Sequence, residues 1–506
     1  MRSRRRTTQW NLFFHYAAIA LATVSGVVLV PLYLKYIPLN LYGAWLATGN
    51  VLAWITAVDP GLSTVLQQRV GAAFGRNDTR EIQVLLSNGL VLAVLIALVV
   101  LLAGLAATNQ VGNWVNLEAP ADQAAIQKAF WLAVLGTIAM IFSYPVTAIN
   151  QGLQGSLGIG LVYVTVTAGS IALTILLLFA GHGVLAIPAG VLVRGMGLAA
   201  GNLGYLVWRM HRSRLRLSAS LRELPGLLGL LSFTSLSSAA TTVASNAEAF
   251  VVARLLGPES TPPLVLARKA PEIAQWAVAR PAIAFMPAIA HVVGAGELDK
   301  ARDALLRLLR ITAWLLGIMF GGFLTFNQDF IRLWVGAGLY PGDPVNLAIC
   351  LAFPVTVASY VLRNLCVALG NIRGTSIASA IESLLRVLLM MWGARSLGLF
   401  GVAAAPLLAV LAVSTWYLPS SFSTLLKLSP QDRWEAVREA AYALAAAVPP
   451  MLAFSLVDAT NWIEFGSYVA GFAGCYTATL LLLSRPCRWE TRLVLRRIQT
   501  VVAGRI

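Results

Sequence analysis

The sequence predicts an all-α polytopic membrane protein of about fourteen transmembrane helices, arranged as two six-helix bundles in a parallel pseudo-twofold repeat plus two C-terminal helices. Three observations lead there. Apolar stretches long enough to span a bilayer recur along the chain, every second connection between them is basic, and two passages repeat one another in order. Of the 506 residues 58% are hydrophobic and only 11% are charged, roughly half the charge of a soluble globule. The formal charge of +16 does not indicate nucleic acid as a partner, because the basic residues lie in short connections between apolar runs and not on one face.

The apolar stretches begin near Leu12, Leu41, Ile82, Phe130, Leu157, Val184, Leu227, Leu264, Leu305, Val345, Thr375, Leu399, Ala440 and Phe465. The first, Leu12 to Leu34, follows the basic stretch Met1 to Arg6. It is longer than the roughly 7 to 15 residues of a signal-peptide core, so it is expected to be retained as a span. Arg69, Arg76 and Arg80 precede the third stretch, whereas Thr108 to Gln127, before the fourth, holds Glu118 and Asp122 and no Lys or Arg. Arg209, Arg212, Arg214, Arg216 and Arg222 precede the seventh, and Lys300, Arg302, Arg307 and Arg310 the ninth. Arg373 follows the tenth stretch, and Lys427, Arg433 and Arg438 follow the twelfth. Asp458 to Glu464, between the last two, is acidic, and the tail carries Arg485, Arg488, Arg492, Arg496, Arg497 and Arg505. Basic connections stay in the cytoplasm, which puts both termini there.

The repeat fixes the halves. Gly75 to Asp78, a long apolar stretch, Asn109-Gln110 and Trp114-Val115 correspond to Gly296 to Asp299, another such stretch, Asn327-Gln328 and Trp334-Val335. Gly183-Val184 with Pro188 recurs as Gly401-Val402 with Pro406. Six spans separate the copies, and an even number of crossings leaves them in the same orientation, with substrate expected between them. The expected organisation is a first bundle over 1–208, a basic cytoplasmic linker over 209–225, a second bundle over 226–425, and the last two helices with a basic tail over 426–506. Cys350, Cys366, Cys475 and Cys487 are scattered, with no CxxC pair, and read as small core residues. No metal site, cofactor motif or phosphate-binding GxxxxGK[ST] loop is present in the sequence.

Arg194, Arg268, Lys269, Arg280, Arg363 and Arg386 all lie within the apolar stretches, where an unpaired cation costs at least about 3 kcal/mol. The acids there are chiefly Glu248, Glu272 and Glu382. The surplus of positive charge points to an interior cavity for an anionic substrate. Lys269, Glu272, Trp276 and Arg280 advance by three, four and four residues and share one helical face. The cations suit a pyrophosphate and Trp276 suits a sugar face. In the competing arrangement Lys269 snorkels outward and Glu272 pairs with Arg268 or Arg280. Pro271, Pro281 and Pro287 mark that span for kinks.

Thr234, Ser238, Thr241, Ser245 and Glu248 form a polar stripe on the seventh span, and Glu248 is a candidate to exchange a proton or bind sodium. Thr375, Ser379, Glu382 and Arg386 form another on the eleventh, where Glu382 and Arg386 are spaced to pair along the helix. Arg363 and Arg194 have no partner in their own helices, so each either lines the substrate cavity, the favoured assignment for Arg363, or meets an acid elsewhere. No enzymatic activity is expected, since His15, His182, His211 and His291 are isolated.

Asp59-Pro-Gly-Leu-Ser63, running through Gln68-Arg69 to Gly75, resembles the loop after the second helix of polysaccharide-type flippases in the multidrug/oligosaccharidyl-lipid/polysaccharide (MOP) superfamily. Phe330-Ile-Arg-Leu-Trp334-Val-Gly336 resembles another recurrent stretch of that family. With the duplicated halves and the extra pair of spans, the resemblance covers essentially the whole chain. It implies translocation of an isoprenoid-pyrophosphate-linked oligosaccharide from the inner to the outer leaflet of a bacterial inner membrane, in O-antigen, capsule or exopolysaccharide assembly. The chain departs from the family pattern at Pro60. Its first two spans also lack the arginines used by peptidoglycan-precursor flippases, which disfavours lipid II as substrate. A drug antiporter of the same superfamily is the nearer alternative, although a cavity for cationic compounds should carry excess acid.

Overall fold

The structure, a computed structural model, describes residues 2–56, 62–76, 78–213, 233–279 and 298–502. Among them there is no β-strand. Two compact units divide the chain, Met1–Pro262 and Pro263–Ile506.

The first unit contains α1 (Arg2–Tyr36), α2 (Leu39–Thr56), α3 (Leu62–Gly75), α4 (Thr79–Thr108), α5 (Val111–Trp114), α6 (Pro120–Gly152), α7 (Ser156–Phe179), α8 (Ala186–Ser213) and α9 (Phe233–Leu256). Helix α6 is its axis and packs along α8, α4, α3 and α2. Small residues permit the close approach: a Cβ on Gly195 would stand 2.1 Å from the carbonyl oxygen of Gly136. Polar bonds then lock α6 to α8, since Asn150 Nδ2 donates to Asn202 O at 3.0 Å and Asn202 Nδ2 to Ser143 Oγ at 3.1 Å. Helix α9, the expected seventh span, lies along α2 in this unit, and its Ala253 joins the core around Tyr42, Trp45 and Phe130. The expected linker, 209–225, falls from residue 214 onward outside the described residues.

After α10 (Thr261–Ala267), which crosses the division, the second unit continues with α11 (269–279), α12 (Leu298–Val335), α13 (Asp343–Ala368), α14 (Ile372–Ala412), α15 (Ser414–Leu425), α16 (Pro430–Phe454), α17 (Trp462–Leu483) and α18 (Arg485–Val502). Helix α14 is two helices in sequence. At Gly398 the backbone turns with φ 60°, and a Cβ on Gly393 would stand 2.7 Å from the backbone of Gly401. The expected eleventh and twelfth spans therefore double back on one another at a residue that only glycine accommodates cheaply.

The helix ends follow the sequence closely. Asp78 caps α4 by accepting from Glu81 N at 3.0 Å, and Ser429 with Asp432 forms a capping box on α16. The two copies of the repeat share their backbone punctuation. Trp114-Val115 is followed by Asn116 at φ 58°, and Trp334-Val335 by Gly336 at φ 98°. Asp299 lies in the first turn of α12, as the Asp78 cap does for α4.

The outward faces identify the surrounding medium. Val94, Leu95, Leu98, Val99, Leu102 and Leu105 of α4 are all exposed. They recur at the spacing of one helical face, an apolar stripe turned away from the protein. Among the described residues eight helical stretches are long and apolar enough to cross a membrane, one of them being 372–425, which holds two of the expected spans. The chain is thus an all-α polytopic membrane protein. Cys350, Cys366 and Cys487 are buried and Cys475 is half-buried.

Candidate functional site

The eighth span is discontinuous at the point where its charges lie. Helix α10 ends at Ala267, Arg268 occupies a turn, and helix resumes over 269–279. Pro271, four residues after Ala267, has no N–H to return to that carbonyl. Asn327 of α12 supplies the missing donor, with Nδ2 at 3.0 Å from Ala267 O and 2.7 Å from Asn346 Oδ1. A broken helix survives in an apolar medium only with such substitution. Arg268 donates to Ala403 O at 3.3 Å. Immediately beyond the break Lys269 Nζ pairs with Glu272 at 3.1 Å, their side chains 35% and 50% exposed, and Trp276 is exposed. Glu272 thus takes Lys269 itself as its partner. Arg280, with Pro281 and Pro287, lies outside the described residues, as does Asp59.

On α13, Arg363 meets an acid from the next helix. Its Nη2 is 3.0 Å from Glu382 Oε2 and 3.4 Å from Ser414 Oγ, and Ser414 also donates to Glu382. The sequence spacing pointed to Arg386 for Glu382, and the structure brings Arg363 to that carboxylate. Residues four apart on a helix are neighbours, but Arg363 reaches the carboxylate across the helix interface. The cluster joins three helices where Val413 interrupts the twelfth span, and the N-terminal end of α15 at Ser414 faces the negative charge favourably. Thr375 and Ser379, on the same stripe, are buried, and Arg386 is half-buried.

In the first unit Arg194 is half-buried and donates to Tyr163 Oη at 3.0 Å, its guanidinium 5.5 Å from the centre of that ring. Glu248 is buried at 6% exposure, beside half-buried Thr241 and exposed Ser245. The side chains of Thr234 and Ser238 lie outside the described residues.

Two buried acids escaped the sequence reading. Glu439 of α16 is fully buried, and its Oε2 accepts from Trp314 Nε1 at 3.1 Å and from Ser484 Oγ at 2.6 Å. Asp329 is 5% exposed; it accepts from Arg332 Nη2 at 2.7 Å and from Ala459 N at 2.9 Å, while Arg332 also donates to Ala459 O at 2.8 Å. This clasp explains the Phe330 to Gly336 stretch. It fastens the connection between α16 and α17 to α12, with Phe330 and Trp462 in edge contact at 6.2 Å. A signal was present: Asp329 and Arg332 are three apart at a helix end.

The fold is similar to that of solved transporters of the MOP superfamily. The lipid II flippase MurJ in an inward closed conformation is similar, with a TM-score of 0.67 and 14% identity over 93% of this chain and 98% of that one. An inward-facing multidrug resistance MATE family transporter gives 0.64 and 15% over 81% and 99%. A MOP superfamily transporter from Pyrococcus furiosus, described as having a binding pocket of reversed polarity, gives 0.55 and 14% over 84% and 95%. No family model and no curated protein matches the chain.

Proposed function

We propose that the chain crosses the bacterial inner membrane fourteen times with both termini in the cytoplasm, and carries an isoprenoid-pyrophosphate-linked oligosaccharide repeat unit from inner to outer leaflet by alternating access. The observation that carries this reading is the break in the eighth span, which places Arg268 and Lys269 at freed backbone within an otherwise apolar helix. Discontinuous helices with charged or backbone groups at the break are where transporters bind ionic substrates. Lys269 and Arg280 hold the pyrophosphate, Trp276 stacks on a sugar, and Arg194, Arg363 and Arg386 keep the interior cationic. Glu272 and Glu382 hold the cations in place, and Glu248, buried on α9, exchanges a proton or sodium ion. The six intramembrane cations outnumber Glu248, Glu272 and Glu382 of the same spans even with the buried Asp329 and Glu439 added, and the Pyrococcus furiosus neighbour is described as having a binding pocket of reversed polarity.

The test is the sidedness of lipid-linked oligosaccharide in cells lacking the protein, read with an impermeant lectin on right-side-out and inside-out vesicles. Cytoplasmic accumulation that is reversed by the wild-type chain, and not by the inserted Lys269→Gln/Arg280→Gln variant, is expected. Normal outer-face display would refute the reading and favour ion-coupled antiport of small molecules, to which the multidrug transporter neighbour gives weight.

A further inference from the structure

The second unit contains a cavity of about 560 Å³ at its basic end, away from the break in the eighth span. Its walls are residues 303–314 of α12 and the first turns of α18, with Arg307, Arg310 and Arg485 as cations, Asp303 and Glu490 as acids, and Trp314 and Trp489 as apolar plates. Two of the cations are already engaged. Arg307 pairs with Glu490 and lies 5.9 Å from the ring centre of Trp489, and Arg310 Nη1 is 3.4 Å from Glu435 Oε1. Arg485 takes part in none of the ion pairs of the described residues, and its residue is exposed. The lining thus holds three cations and two acids, with Arg485 the cation in no ion pair of the described residues, next to a helix that is itself strongly basic.

Its position selects the ligand. Arg485 follows the membrane-spanning α17 after Ser484. The last residues of that helix, Leu482 and Leu483, are exposed, and Trp489 is exposed one turn beyond Arg485. A cationic pocket bordered by bare leucine on one side and by tryptophan on the other lies at the level where headgroup phosphate meets acyl chain. We infer that this cavity binds the phosphate headgroup of an anionic phospholipid of the surrounding membrane, with Arg485 as the anion-binding group, Arg310 adding its charge beside it while paired with Glu435, and Trp489 covering the glycerol region. The assignment is independent of what the transporter carries.

The test uses the purified full-length chain in detergent, titrated with dioctanoyl phosphatidylglycerol and, separately, with dioctanoyl phosphatidylcholine and inorganic phosphate, binding being followed by thermophoresis. Saturable binding of phosphatidylglycerol and not of phosphatidylcholine is expected. The Arg310→Gln/Arg485→Gln variant should weaken it roughly thirtyfold, and Arg485→Gln alone, at an exposed position that the fold does not depend on, roughly fivefold. Arg488→Gln removes the same charge from the same helix outside the cavity and should change affinity less than about twofold. Equal losses in Arg488→Gln and Arg485→Gln would overturn the site in favour of diffuse attraction. Unchanged affinity in Arg485→Gln, or competition by inorganic phosphate at the affinity of the lipid, would overturn it as well.

Discussion

Separating Arg363 from Glu382 tests the reasoning most directly, because the structure gives the pair its distance, burial and third partner. At 3.0 Å and with side chains 17% and 15% exposed, the two charges attract by about 5 kcal/mol at an effective dielectric near 20. Desolvation offsets most of that, so the pair taken together stabilises little. Removing one member instead strands a charge, at about 3–5 kcal/mol. Arg363→Met and Glu382→Met should each lose that much. Arg363→Met/Glu382→Met together should lose only about 2 kcal/mol, the residue being the acceptor that Ser414 forfeits. Reversible unfolding in mixed micelles, followed by far-ultraviolet circular dichroism against the mole fraction of denaturing detergent, measures all three. Additive losses of about 6 kcal/mol or more in the double variant would refute the pairing, as would single variants within about 0.5 kcal/mol of wild type.

Three other outcomes follow from the geometry. Asn327→Ala should cost about 1–3 kcal/mol by orphaning Ala267 O, and adding Pro271→Ala, which restores an N–H four residues on, should recover part of the loss in the same unfolding assay. Gly393→Ala drives a methyl into the backbone of Gly401 and should cost about 1–3 kcal/mol, whereas Gly474→Ala, which meets open space, should be neutral. Asp432, held below the usual carboxylate range first by the Ser429 hydroxyl and backbone N–H and then by Arg302, adds stability that is complete above the unfolded value of about 3.9 and is lost as pH falls through its lower folded value. The thermal midpoint should therefore drop as pH falls below about 4, and less steeply in Asp432→Asn.

Much of the fold was legible because bilayer length, capping and turn chemistry are local. The Asp78 and Ser429 caps, the positive-φ turns after Val115 and Val335, and the doubling back before Gly401 each follow from a few adjacent residues. The repeat was readable from spacing alone, yet it conceals a divergence: Asn109 ends α4, while Asn327 sits buried inside α12 and serves the neighbouring broken helix. Partners across a helix interface were not legible. Spacing along one helix nominated Arg386 for Glu382, and nothing in the sequence brings Arg363, nineteen residues away, to it. Glu439 escaped because it stands one residue before the apolar run from Ala440 and read as part of a solvated loop, whereas Trp314 of α12 and Ser484, between α17 and α18, close over it.

Helix α12 is secured near both ends. Arg302, Arg307 and Arg310 grip Asp432, Glu490 and Glu435 at one end, and the Asp329–Arg332 clasp holds Ala459 at the other. A rod of 38 residues is about 57 Å long. Fastened at two such distant points, the last two spans cannot pivot about it independently. They are ballast: any tilt of the ninth span must swing them and the tail helix with it, so a tether placed on that tail would brake the tilt.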